Sequence, residues 1–349
     1  MPEFKGRCLS SAMGILPHTD VDRALEIALS VDVPFWPQLP HLNFYEDMYV
    51  QFSEHFPGVV LDESNQRITV DTRLFYEQLA DYVEKSADPE TFALSPRYTA
   101  TLRKFLQQDL SKYPAIKGQV IGPISFGLQI VDENRKAIIY NDEIRTLLFD
   151  FTRAKINHQY QLLRAKHPNP IVFFDEPGLE LVFNSVSGYT NEMAKEDLAG
   201  LLAGIDGMKG IHLCGNPDWD FLLAADIDIL SFDSYSRGDT FVRYERAAEF
   251  LERGGILSWG IVPTGAWLLD RETEDSLLAK LEGFWDYLEA KGVSRQRIVE
   301  NAMITPATCS LVGERNVETV EAAFRVLAQM SARLRQKYFS KDLAEKVWR

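Results

Sequence analysis

The chain has 349 residues, 46% of them hydrophobic and 25% charged, and carries a formal net charge of −14. That composition is one of an ordinary globular protein, with no low-complexity tract and no apolar run long enough to span a bilayer. The negative charge and the scattered Lys and Arg argue against a nucleic-acid partner, which needs clustered cations to displace counterions from a phosphate backbone.

The first nine residues show no basic segment followed by an apolar core, so no secretory signal is read there and a cytoplasmic location is expected. Only three cysteines occur, Cys8, Cys214 and Cys309. Three cannot build a disulfide framework, and in a reducing compartment each reads as a core thiol, a ligand or a nucleophile.

Along the chain, short apolar runs alternate with longer amphipathic segments. The runs cover residues 8–14, 91–95, 118–122, 171–175, 210–214, 227–233, 255–261 and 297–304, the second being the weakest. Helical periodicity fills the intervals at 20–30, 98–112, 136–166, 191–202, 241–253, 272–291 and 317–337. Eight alternations with almost continuously apolar strands predict a closed (β/α)8 TIM barrel, α/β in class, with residues 1–349 forming a single domain. One segment, 33–70, breaks the rhythm: it is rich in aromatics and prolines and contains a hairpin in which Val59–Asp62 and 67–71 flank the turn Glu63-Ser64-Asn65-Gln66. It is read as an insertion, either a lid or binding loop at the site or an arm for contacts between two copies in a homodimer. The stretch 338–349 is charged and reads as a helical tail on the surface.

In barrels of this kind the chemistry sits where the strands end at their C-terminal side. The fifth run closes on His212-Leu213-Cys214, whose imidazole and thiol, two residues apart, share one face of a strand. Cys309 follows the eighth run, and Asp233 closes the sixth between them. Two thiolates and an imidazole are the donors that Zn2+ prefers, and three protein ligands with one open position describe a catalytic rather than a structural site. An acceptor thiol bound at that position would lose its proton and become a nucleophile. The competing reading makes the cysteines small core hydrophobes, and for Cys8, at the opposite end of its strand, that reading is preferred.

The fourth run closes on Asp175-Glu176-Pro177, adjacent carboxylates of which one can face the pocket. Asp175 would bind a substrate ammonium or act as a base; the alternative is a turn-forming or capping role. Gly14 and His18 follow the first run, where His18 either lines the pocket or serves as a capping residue, and Gly122 follows the third, where glycine permits a ligand close to the backbone.

Taken together, Met13-Gly14-Ile15-Leu16-Pro17, Gly122-Pro123, Asp175-Glu176-Pro177, His212-Leu213-Cys214 and Thr305-Pro306-Ala307-Thr308-Cys309 resemble the superfamily of cobalamin-independent methionine synthase, uroporphyrinogen decarboxylase and the methylcobalamin:coenzyme M methyltransferases. The resemblance runs over nearly the whole chain and lies in the zinc-dependent, thiol-methylating branch. It implies that His212, Cys214 and Cys309 hold zinc, and that Asp175 matches the carboxylate contacting the amino group of homocysteine. Asp233 stands where the methionine synthases have a glutamate ligand, and Ile15 where they have a small hydroxyl residue at the substrate carboxylate. A chain long enough for one barrel resembles the shorter members that use corrinoid donors, which implies a methylcorrinoid, free or on a corrinoid protein, as methyl source and a small-molecule thiol as acceptor. Two alternatives differ in kind. A metal-free decarboxylase of porphyrinogen-like substrates would need clustered arginines, and residues 9–22 and 33–65 contain none. A non-catalytic barrel with a structural zinc ion is the other.

Overall fold

The structure, a computed structural model, describes residues 4–182, 188–308 and 316–346. The strands among the described residues are β1 (Leu9–Ser10), β2 (Val59–Asp62), β3 (Arg67–Val70), β4 (Ile116–Ile121), β5 (Pro170–Asp175), β6 (Lys209–Leu213), β7 (Ile229–Phe232), β8 (Ile256–Val262) and β9 (Ala302–Pro306). Seven of them form one curled parallel sheet in the order β1-β9-β8-β7-β6-β5-β4, with helices between successive strands. β4, β5, β7, β8 and β9 are buried at every position, as expected of strands covered on both faces. Apolar side chains on the outer face of the sheet pack against the helices. Trp259 of β8, for example, stacks on Phe284 of the helix Glu274–Ala290 with ring centroids 6.0 Å apart. No helix among the described residues is long and apolar enough to cross a membrane.

Helix starts follow local chemistry. Asp20, Asn141 and Thr273 cap the helices Val21–Ala28, Asp142–Arg164 and Glu274–Ala290 by accepting from first-turn N–H groups. Two of the expected elements are corrected. Residues 91–95 form no strand: Asp88 caps the 3-10 helix Pro89–Phe92, and Pro96 begins another at Pro96–Tyr98. The eighth run starts too early, because its first residues belong to the helix Arg295–Glu300, capped by Ser294, and the strand begins at Ala302.

The place next to β1 and β4, the two edges of the sheet, is taken by the start of the 33–70 segment. Val33 N donates to Ser10 O (2.9 Å) and Gln38 N to Gly14 O (2.7 Å), while Trp36 N donates to Lys117 O (2.9 Å) and Lys117 N to Pro34 O (2.8 Å). Parallel bridges join Phe35 to Lys117 and Ile15 to Gln38. Pro34 and Pro37 lack the N–H that a regular ladder needs, which is why the segment reads as loop in the sequence. The hairpin is as expected, with Val59 paired to Val70 and Asp62 to Arg67. The charged C-terminal stretch continues the helix Asn316–Lys346 beyond a break in helical geometry at Phe339. Residues 347–349 lie outside the described residues.

Candidate functional site

Strand register brings the polar residues of the inner face to one level. Asp175 of β5 pairs with His212 of β6, His212 with Ser231 of β7, and Ser231 with Ser258 of β8. Neighbouring backbones in such a sheet lie about 4.8 Å apart, so these side chains form a continuous belt.

His212 is buried, with Nδ1 2.9 Å from Ser231 Oγ and Nε2 3.1 Å from Cys214 Sγ. When Nδ1–H donates to the serine, the Nε2 lone pair is left pointing at the thiol. Burial presses the imidazole pKa down, but the nearby Cys214 and Asp175 outweigh burial and hold it above the ordinary value. Cys214 is half-buried and Cys8 fully buried, and neither is in a disulfide. The Cys8 thiol lies 3.7 Å from Val299 O at the far end of the sheet, and burial pushes its pKa well up.

Asp233 immediately follows β7 and caps the helix Ser234–Phe241, accepting from Ser236 N at 2.9 Å. Burial raises its carboxyl pKa, the Ser236 bonds oppose this, and Cys214 adds to it. Among the described residues, no group of three or more His, Cys, Asp and Glu side chains converges closely enough to hold a metal ion. Asp233 therefore does not complete a set with His212 and Cys214. Cys309 lies outside the described residues; Thr308, just before it, shares a 2.7 Å hydroxyl bond with Thr264 beyond the end of β8.

The adjacent carboxylates part company as alternation requires. Asp175 joins the inner belt, whereas Glu176 turns to the helix Pro123–Gln129 and accepts from Ile124 N (3.0 Å), Ser125 N (2.8 Å) and Ser125 Oγ (2.6 Å). A carboxylate on the first N–H groups of a helix is favoured, yet complete burial raises Glu176 to about 7. A Cβ on Gly122 would collide with that carboxyl, so what approaches this glycine closely is Glu176. Gly14 is crowded in the same way by the Gln119 side chain and Trp36 O. At both glycines the close approach is made by the protein's own groups, where a ligand was expected against Gly122. His18 is buried beside the helix Asn316–Lys346, with Nε2 3.6 Å from Glu321 Oε1, and burial lowers its pKa. It thus faces an outer helix.

The sequence reading overlooked Lys117 and Gln119. Their signal is visible: two long polar side chains two residues apart in an otherwise apolar strand, and so on one face. Lys117 is buried, with Nζ 2.9 Å from Gln119 Oε1, 3.8 Å from Met13 Sδ and 4.9 Å from the centre of the Phe173 ring. Burial pushes its ammonium pKa down to about 7 against the opposing charge of Asp175. From Lys117 a hydrogen-bonded chain runs outward: Gln119 Nε2 donates to Gln38 Oε1 (3.2 Å) and Gln38 Nε2 to Gln51 Oε1 (2.7 Å). Beside it, Glu46 accepts from Ala100 N (2.8 Å) and Thr101 Oγ1 (2.5 Å), and Thr101 Oγ1 accepts from Trp36 Nε1 (2.9 Å). The 33–70 segment is thereby bonded into the wall of the sheet.

No family model matches the sequence, and no curated protein matches it either. Its fold has a counterpart among solved structures. A methyltransferase from Methanosarcina mazei aligns with a TM-score of 0.54 at 12% identity, over 88% of this chain and 86% of that one. At that identity the similarity concerns the fold.

Proposed function

We propose that this chain is a methyltransferase that uses zinc to activate a small-molecule thiol, and that the segment at 33–38 closes its sheet into a (β/α)8 barrel. The observation that carries the reading is the His212–Cys214 pair, which converges at the C-terminal end of β6 with a separation of 3.1 Å. Ligands to one tetrahedral zinc, with Zn–N and Zn–S of about 2.0 and 2.3 Å, stand about 3.5 Å apart, so a small opening of the pair would admit the ion. Ser231 on Nδ1 supplies the outer partner that ligating histidines use to fix their tautomer.

His212, Cys214 and Cys309 would hold the ion, and Asp233 would have to give up its helix cap to join them. When bound, zinc would lower the pKa of an acceptor thiol enough to make its sulfur nucleophilic at neutral pH. Asp175, beside His212 in the belt, would bind a substrate ammonium or take up the thiol proton. A methylcorrinoid donor, free or carried by a partner protein, follows from the resemblance of the sequence motifs. The fold shared with a methyltransferase is compatible with this reading.

The test is elemental analysis of the purified chain, followed by demethylation of methylcobalamin against a panel of thiols. About one zinc per chain, lost in Cys309→Ala with the fold retained, is expected of an open three-ligand site. Full methyl transfer by metal-free protein would eliminate the proposal.

A further inference from the structure

The helix Asp142–Arg164 packs on the outside of β4 and β5, and one of its faces carries polar groups that the protein leaves unmet. Lys155, His158, Gln159 and Leu162 recur at helical spacing and line a single cavity of about 30 Å³. Gln38 and Gln51 of the 33–70 segment and Gln119 of β4 complete its polar lining, and none of His212, Cys214, Asp175 and Asp233 belongs to it. Lys155 is 4% and Gln159 9% exposed. Among the described residues, Lys155 Nζ, His158 Nδ1 and Gln159 Oε1 have no hydrogen-bond partner. The neighbouring amides are bonded: Gln159 Nε2 donates to Gln119 O (3.0 Å) and Gln38 Nε2 to Gln51 Oε1 (2.7 Å).

The charges around Lys155 do not neutralise it. Its Nζ stands 5.3 Å from the centre of the Phe151 ring, a weak substitute for a counter-ion. Glu54 is the carboxylate that acts on it, but Glu54 accepts from Ser95 N (2.9 Å) and lies 3.8 Å from His55 Nε2. His55 and His158 also face Lys155, and Glu90 acts on His158. An ammonium buried without a counter-ion is strongly disfavoured, and water alone leaves its charge in place. One water needs about 10–15 Å³ of such space, so this cavity has room for a monatomic anion and a single water to serve Gln159 Oε1.

We propose that this cavity binds one small monovalent anion, of the size of chloride, on the Lys155 ammonium. The inference is independent of the zinc reading. Gln38, Gln51 and Gln119 link the 33–70 segment to β4, so an anion held beside them neutralises the charge at that junction and braces the wall.

The experiment compares the parent with Lys155→Met in chloride and in gluconate of equal ionic strength, gluconate being too large for the cavity. Thermal unfolding and the chlorine NMR line width are read near pH 6 and near pH 9. Near pH 6 chloride should raise the melting temperature of the parent by about 2 °C over gluconate and broaden the chlorine resonance. Both responses should vanish in Lys155→Met. In gluconate near pH 6 the variant should be the more stable, since it buries no unpaired ammonium, and chloride should narrow that difference. Near pH 9 the parent should lose most of its response, because burial holds the Lys155 pKa down at about 7 and the amine is then neutral. Should the variant fail to fold, the pH dependence of the parent's line width still decides. An equal chloride response in the variant, a response undiminished near pH 9, or no response in the parent, which would mean that water alone fills the cavity, overturns the proposal.

Discussion

The molecule holds two buried polar regions that differ in how completely they are bonded. In the 33–70 segment, Glu46, Gln51, Gln38 and Trp36 bond to one another and to Thr101 and Gln119 outside it, with both oxygens of Glu46 occupied. On the inner face of the sheet, Ser258 and Thr305 have no partner among the described residues, and the His212–Cys214 contact is one that a metal could replace. A satisfied network fixes a fold, whereas unmet capacity at the open end of a sheet is what a binding site retains. The first region explains why a proline-broken segment holds its place in the wall. The second is where chemistry is expected.

Four substitutions break or sharpen this contrast. Glu46→Ala should have the largest effect, a loss of about 3 kcal/mol in the denaturant-derived unfolding free energy, because it strands the Thr101 hydroxyl proton inside the protein and removes the acceptor of Ala100 N. A loss below about 0.5 kcal/mol, the range of ordinary surface changes, would show that the network is not structural.

Lys155 departs from this pattern within the bonded region. Its Nζ has no hydrogen-bond partner among the described residues, it lines a cavity of about 30 Å³ with Gln38, Gln51 and Gln119, and burial lowers its pKa to about 7. Below pH 7 the folded chain must hold this ammonium in a poor solvent, and between 7 and 10.5 the unfolded chain binds more protons than the folded one, so stability attributable to Lys155 rises with pH. Lys155→Met should therefore stabilise by about 2 kcal/mol near pH 6, with the gain fading toward pH 10. Melting curves across that range decide it, and a gain that does not change with pH would exclude the ammonium as its source.

Ser231→Ala should lower zinc affinity about ten- to a hundredfold in chelator competition while leaving the fold intact, since it removes the partner that orients His212. Unchanged affinity would mean that the imidazole is positioned by other contacts. The smallest effect is expected for Asp233→Ala: about 1 kcal/mol of stability from the lost cap, with zinc content unaltered. Loss of zinc from that variant would return Asp233 to the ligand set.

Much of the architecture was legible from the residues in order. Apolar runs bounded by turn residues locate β4 to β8, the turn at 63–66 locates the hairpin, and the two-residue spacing of His212 and Cys214 puts them on one face, because these patterns depend on local periodicity alone. Tertiary structure alone decided three other matters. It placed a proline-interrupted segment beside β1 and β4, where long-range hydrogen bonds replace a regular ladder. It turned Glu176 onto a helix N-terminus, His18 toward Glu321 and Asp233 into a cap, although each resembled a site residue by its position at a strand end. It also set Ser231 beside His212 and Ser258 on the same level, because strand register determines which distant side chains share a level and no local signal encodes it.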